Sequence, residues 1–184
     1  MKRNDMHHPF LTGDAIYLRG LEESDLNGPY FQWLNDQDSD TYTSHALWPN
    51  SRPRMLAFLK RVSDSRTELV LAIVEKSGDR HVGNIGLHQI NWVHRSAVLA
   101  ILIGDAEARG RGYGTEAVTL LVEHAFSRLN LHRVELGVRA DNEPAIRSYR
   151  KAGFADEGVF REAFCAGGGR YWDVLRMARL NPKA

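Results

Sequence analysis

The chain has a single cysteine, Cys165. No internal disulfide can form, so a disulfide-stapled secreted scaffold is excluded. One thiol cannot build a cysteine-rich zinc site, and His81, His88 and His94 do not repeat at the i, i+4 spacing of a helical metal pair. Charge of one sign is also scarce. The 24 basic side chains face 23 acidic ones, a net of +1, whereas a non-specific nucleic-acid binder shows a strong basic excess. No apolar run approaches the roughly 20 residues that span a bilayer. The opening, Met1 to Gly13, is polar and lacks the apolar stretch of a signal peptide. Repeats, low-complexity tracts and internal linkers are missing too. These absences lead us to expect a cytoplasmic domain without metal, nucleic acid or membrane partner, either monomer or homodimer. A chain of 184 residues with a 43% hydrophobic fraction suits one domain with a sizeable core.

What is present alternates between strand and helix periods, which predicts a mixed α/β layer fold. Strands are expected at Ala15 to Arg19, Leu69 to Val74, His81 to Asn91, Ala97 to Ile103 and Arg133 to Val138. Two more are expected at Phe160 to Phe164 and Trp172 to Met177, around Gly167-Gly168-Gly169. Helices are expected at Glu22 to Asn35, Arg54 to Val62, Gly112 to Leu129 and Glu143 to Lys151. Short turns between the second, third and fourth strands imply an antiparallel meander. The two glycines of Val82-Gly83-Asn84-Ile85-Gly86 suggest a bulge or a close backbone approach.

The most informative stretch is Arg109-Gly110-Arg111-Gly112-Tyr113-Gly114-Thr115-Glu116, which joins a buried strand to an amphipathic helix. Glycines at a helix start bare several N–H groups at its positive end, where a diphosphate would fit. The same glycines would also allow tight strand–helix packing. A P-loop is excluded because Thr115 and Glu116 follow Gly114 in place of Lys-Ser/Thr, and Thr115 also breaks the dinucleotide fingerprint.

Arg109-x-x-Gly112-x-Gly114 resembles the Gln/Arg-x-x-Gly-x-Gly/Ala fingerprint of the Gcn5-related N-acetyltransferase (GNAT) superfamily. The stretch from Arg139 to Phe154, with Asn142, Ala145, Tyr149 and Gly153-Phe154, resembles the family's second block. The opening, Ile16 to Glu22 and Trp33 to Asp36, resembles the branch that contains the ribosomal-protein acetyltransferases. The resemblance covers roughly residues 14 to 180, after an N-terminal segment 1–13 expected to be flexible. It implies a single GNAT fold: a mostly antiparallel twisted sheet, helices on both faces, and a cleft where the fourth strand splays from the fifth. It also implies acetyl-CoA as donor. The diphosphate would be held by Arg109, Gly110, Arg111, Gly112, Tyr113, Gly114 and Thr115. The pantetheine arm would pair along Ile101, Leu102 and Ile103, with Asn142 and Tyr149 beside the cofactor.

Acyl transfer from a thioester to an amine needs a base for the amine, a donor for the oxyanion and an acid for the departing thiolate. Tyr149, a phenol with a pKa near about 10, is the expected acid. Asn142 also suits a helix cap, with Asp141 and Pro144 beside it. The base is less defined. Relatives carry glutamates at the places of Val98 and Gly137, and both are missing here. His88 and Glu135 are the remaining candidates, with a water chain as the other route; His45 is another histidine near the acceptor side. The acceptor is expected to be an amine, either a protein N-terminus, an amino sugar or another small amine, entering near His45, Trp48 and Arg52 and the loop around Gly167. The stretch Tyr30 to Pro49 resembles relatives of surface-sugar biosynthesis. The near-neutral chain gives no bulk preference for polyamines. A catalytically weak acyl-CoA-binding protein is the alternative function.

Overall fold

The computed structural model describes residues 8–35 and 48–183. Among them, eight strands form one sheet in the order β1-β2-β3-β4-β5-β6-β8-β7. In chain order these are β1 (Leu11–Thr12), β2 (Ile16–Gly20), β3 (Leu69–Glu75), β4 (Arg80–Asn91), β5 (Ser96–Ile103), β6 (Arg133–Arg139), β7 (Ala155–Gly167) and β8 (Arg170–Leu180). The helices are α1 (Tyr30–Trp33), α2 (Arg52–Asp64), α3 (Tyr113–Ser127) and α4 (Glu143–Lys151). Every strand pair is antiparallel except β5 with β6, which is parallel. The expected α/β architecture is therefore present, and the two-residue β1 makes the expected fourth and fifth strands β5 and β6.

Side-chain period divides the core into two layers. On one sheet face, Val118, Leu121, Val122 and Ala125 of α3 lie against Ile85, Leu87, Leu99 and Leu136, and Ile146 of α4 joins them. Leu121 is fully buried, and each such side chain contributes about 1.5–3 kcal/mol. On the other face, Tyr30 and Leu34 pack with Met55 and Leu59 of α2, and Leu102 of β5 reaches this cluster. The strand alternation of β5 thus sends Leu99, Ile101 and Ile103 to the α3 side and Leu102 to the α2 side.

The expected helix from Glu22 to Asn35 is broken. A 3₁₀ turn, Glu23–Asn27, gives way to extended backbone at Gly28 (φ −100°, ψ −165°), and α1 keeps only four residues. Pro29 is the reason, because its ring pushes the preceding residue out of helical geometry. At the N-terminus, the Phe10 N–H donates to the Leu18 carbonyl at 2.7 Å, and Leu11 and Thr12 pair with β2.

Gly83 is a close backbone approach, as its sequence context suggests. A Cβ there would lie 2.2 Å from the Leu102 carbonyl oxygen. Gly83→Ala must therefore push β4 from β5. We expect a loss of about 1–3 kcal/mol, the usual range for overpacking, read as a lowered unfolding midpoint in urea.

Candidate active site

The parallel β5–β6 ladder contains only Ser96↔Arg133, Ala97↔Val134 and Val98↔Glu135. Beyond Val98, β5 stays paired to β4 as far as Ile103, while Leu136 to Arg139 pair with β8 alone. The strands have splayed, as expected. The β6-side edge of Leu99 to Ile103 holds main-chain N–H and C=O groups with no strand partner, an arrangement that suits a ligand carrying amides.

The glycine-rich turn lies just past this edge. Gly112 caps α3 in the left-handed region (φ +87°) and supplies no side-chain cap. The Glu116 N–H bonds the Gly112 carbonyl at 3.0 Å, so the N–H groups of Tyr113, Gly114 and Thr115 precede the first helical bond. Gly110 (φ +75°) and Gly112 both face open space where a Cβ would stand. A cradle of bare N–H groups at a positive helix end, with room in front of it, fits a diphosphate. The turn is anchored on three sides. Arg109 Nε donates to the Ile103 carbonyl at 3.2 Å, the Tyr113 hydroxyl donates to Glu75 at 3.3 Å, and the Thr115 and Ser148 hydroxyls bond at 2.7 Å. Arg111 is exposed.

Thr115–Ser148 ties α3 to α4, which carries Tyr149. This side chain is half-buried against the α3-side core, tilted against Phe154 with centroids 6.1 Å apart. Its hydroxyl makes no hydrogen bond to a described residue. Burial pushes the phenol up to about 12, so it holds its proton throughout the neutral range. Asn142 caps α4 by accepting from the Ala145 N–H at 3.3 Å.

A cavity of about 210 Å³ opens on the opposite sheet face. Tyr30, Met55 and Phe58 form its helical wall, Asn84, Gly86 and His88 come from alternate positions of β4, and Ala100 to Leu102 close it along the splayed edge. Behind the wall, Arg19 binds Asp25 through two hydrogen bonds of 2.6 and 2.9 Å. Burial alone would raise the Asp25 carboxyl, but Arg19 and His81 hold it well below the usual range. Burial, helped by the Asp25 charge, pushes the Tyr30 phenol up to about 12. A larger shallow groove of about 740 Å³ is lined by Phe160, Arg161, Glu162 and Asp173, all on β7 and β8, and includes no residue of the splayed edge.

The two base candidates differ. Both Glu135 oxygens are occupied: one accepts from Arg133 at 2.9 and 3.0 Å, the other from Arg176 at 2.8 Å. The space at Gly137 is filled as well, since a Cβ there would meet Val174 at 3.0 Å and Arg176 at 3.1 Å. His88 lines the cavity. His45 lies outside the described residues. Trp48 is exposed, Arg52 bonds Asn27 at 2.9 Å, and Asn50 and Arg54 line the cavity in their stead. The missed lining residues Asn84 and Gly86 share the period-2 face of His88, which was the available signal. No group of three or more His, Cys, Asp and Glu among the described residues could hold a metal. No described helix is long and apolar enough to cross a membrane.

The profile of the family described as "Acetyltransferase (GNAT) domain" matches residues 15–155. A spermidine N(1)-acetyltransferase of Vibrio cholerae is 36% identical over 168 residues, 91% of this chain and 94% of the relative. A probable N-acetyltransferase of Bacillus subtilis, YjcK, is 34% identical over 94% of this chain and 97% of its own. Among solved structures, the Vibrio cholerae spermidine N-acetyltransferase in complex with CoA and spermine superposes with a TM-score of 0.81 at 27% identity, covering 92% of this chain and 97% of that one. A structure of the Vibrio cholerae enzyme described as dodecameric gives 0.77 at 29% identity, over 93% and 96%. The expected likeness to the ribosomal-protein branch is corrected here, because the named substrate among these relatives is spermidine. The splayed strand, the glycine turn and the family match agree: this chain belongs to the GNAT acetyltransferase family and is an acetyl-CoA-dependent N-acetyltransferase.

Proposed function

We propose that the enzyme acetylates a primary amine of an aliphatic polyamine, with the diphosphate of acetyl-CoA on the Gly110–Thr115 turn and the acceptor in the Tyr30–His88 cavity. The observation that carries this placement of donor and acceptor is the pairing stop at Val98↔Glu135, which opens a slot between the turn's face of the sheet and the cavity's face. The bound donor supplies an acetyl thioester. The chain supplies the rest: the unpaired β5 edge orients the donor's amides, N–H groups at the start of α3 neutralise its charge, and apolar walls take the acceptor's methylenes. Relatives named for spermidine support the acceptor class. Net charge is a poor guide to it, since a cavity selects by local groups. We further propose an assembly larger than a monomer or homodimer, on the strength of the dodecameric relative.

Tyr149 is the proposed acid. A phenol pushed up to about 12 is protonated at any pH the enzyme meets, so it can donate a hydrogen bond to the departing sulfur and pass its proton on as charge builds there. Tyr149→Phe should lower kcat by roughly 10²–10⁴-fold with acetyl-CoA affinity little changed. In ultraviolet titration it should remove a tyrosine that ionises above the exposed phenols near about 10. An unchanged single-turnover rate would remove Tyr149 from the mechanism.

Gly112→Asn tests the cradle. Asparagine tolerates a left-handed backbone, so the fold should persist, while the side chain enters the open space before the turn. Acetyl-CoA affinity should fall at least about 10-fold, or about 1.4 kcal/mol, by calorimetry. The acceptor is read by mass spectrometry after incubation with acetyl-CoA and a panel of polyamines, amino sugars and peptides. One acetyl group on a polyamine nitrogen is expected; exclusive acetylation of a peptide or sugar would overturn the acceptor class.

A further inference from the structure

Across three neighbouring strands, His88 of β4 stands opposite Val98 of β5, which stands opposite Glu135 of β6. Opposed residues send their side chains to one face, so this row lies where the parallel ladder ends. Glu135 is held by two arginines. His88 is placed differently. Its Nδ1 lies 3.1 Å from Glu68 Oε1. Its Nε2 lies toward the cavity side of Gly86, where an added Cβ would come within 3.0 Å of it. Both Gly86 and His88 line the cavity with Ala100 to Leu102. A carboxylate facing Nδ1 fixes the proton there and leaves the Nε2 lone pair toward the cavity.

We propose that His88 is the base that removes the acceptor's proton, with Glu68 as the positioning residue that orients it. This inference rests on the reading of the cavity as the acceptor site. As the amine lone pair forms the bond to the acyl carbon and the carbon–sulfur bond breaks, His88 Nε2 takes the proton leaving nitrogen. The sulfur takes a proton from Tyr149, and the imidazolium returns its proton through solvent to the phenolate. Amine and thioester give amide and thiol, with no net change in protons.

The charges around His88 set its poise. Glu68 faces it from the turn before β3 and also pairs with Arg61 of α2. Arg54 of α2 and the Tyr30 phenol of α1 line the same cavity. Burial lowers the imidazole below its ordinary value, and the Arg61 charge adds to this. His88 is therefore neutral at pH 7 and ready to accept. As pH falls through this lowered value it gains a proton, and the rate must fall.

The test combines His88→Gln and Glu68→Gln with acetyl-CoA calorimetry and kcat–pH profiles on spermidine and on an amine of lower pKa. His88→Gln should bind acetyl-CoA as the wild type does, lose roughly 10²-fold or more in kcat, lose the part of the acidic limb that does not move with the acceptor's own pKa, and recover part of its rate on the weaker amine. Glu68→Gln should move the acidic limb to lower pH, because it removes the charge that supports the imidazolium. A His88→Gln rate within twofold of wild type with the limb retained would overturn the proposal. Should that variant fail to fold, an unshifted limb in Glu68→Gln would overturn it. No turnover of spermidine or of the weaker amine by a wild type that binds acetyl-CoA would instead overturn the reading of the cavity as the acceptor site, and the proposal with it.

Discussion

The site depends on one constraint: β5 must be bound along one edge and free along the other. Its β4 side is paired from Val98 to Ile103, so the strand is rigid where it borders the slot. Its β6 side is paired only at Ser96, Ala97 and Val98. Were the parallel ladder to continue, the free N–H and C=O groups would be spent on β6 and the two faces of the sheet would be sealed from each other. The cost of leaving them unpaired is about 1–3 kcal/mol per buried group when neither water nor ligand meets them. That is enough to favour occupancy of the slot, and it is small beside the core on either side.

That core has unequal halves. The α3 side is continuous, running from Ile16 to Met177. The α2 side is a smaller cluster around Tyr30 and Met55, braced by the buried Arg19–Asp25 pair. A buried ion pair is weak support for stability in itself, but removal of one partner leaves a stranded charge worth about 3–5 kcal/mol. Its position behind α1 therefore braces the wall of the cavity proposed for the acceptor. The side proposed for the donor is held by polar anchors of another kind, Arg109 on Ile103 and Tyr113 on Glu75, which seat a turn whose own N–H groups at the start of α3 are bare.

Much of this was legible in the residues. The stripe Val118, Leu121, Val122, Ala125 marks α3, the glycines mark its uncapped start, and the Asn142-to-Gly153 stretch marks α4. Local patterns suffice for such features because their physics is local. The break at Gly28-Pro29 was also written in the sequence, but the helical spacing of Leu26, Tyr30 and Phe31 spoke over it. The Arg133–Glu135–Arg176 clamp and the His88–Glu68 contact were not legible. Each depends on strand register between distant parts of the chain, which no single segment carries. Glu68 in particular reads as an ordinary polar residue before a strand.

Energetics explains how a weakly basic imidazole could serve an amine acceptor in the role proposed for it. An alkylammonium has a pKa near about 10.4, so roughly one amine in 10³ is free at pH 7, a cost of about 4–5 kcal/mol. A histidine lowered by burial would lose more than that by deprotonating the ammonium outright. Its useful moment comes later, when bond formation to the acyl carbon makes the nitrogen's proton far more acidic. A neutral ring before that moment adds no charge to repel a cationic acceptor, and in the proposed mechanism Glu68, 3.1 Å from Nδ1, steadies the ring as it becomes charged. Burial lowers His88, and the Arg61 charge adds to this. A base that stays uncharged until the chemistry begins is compatible with a cavity that, in the proposed role, must first admit a cation.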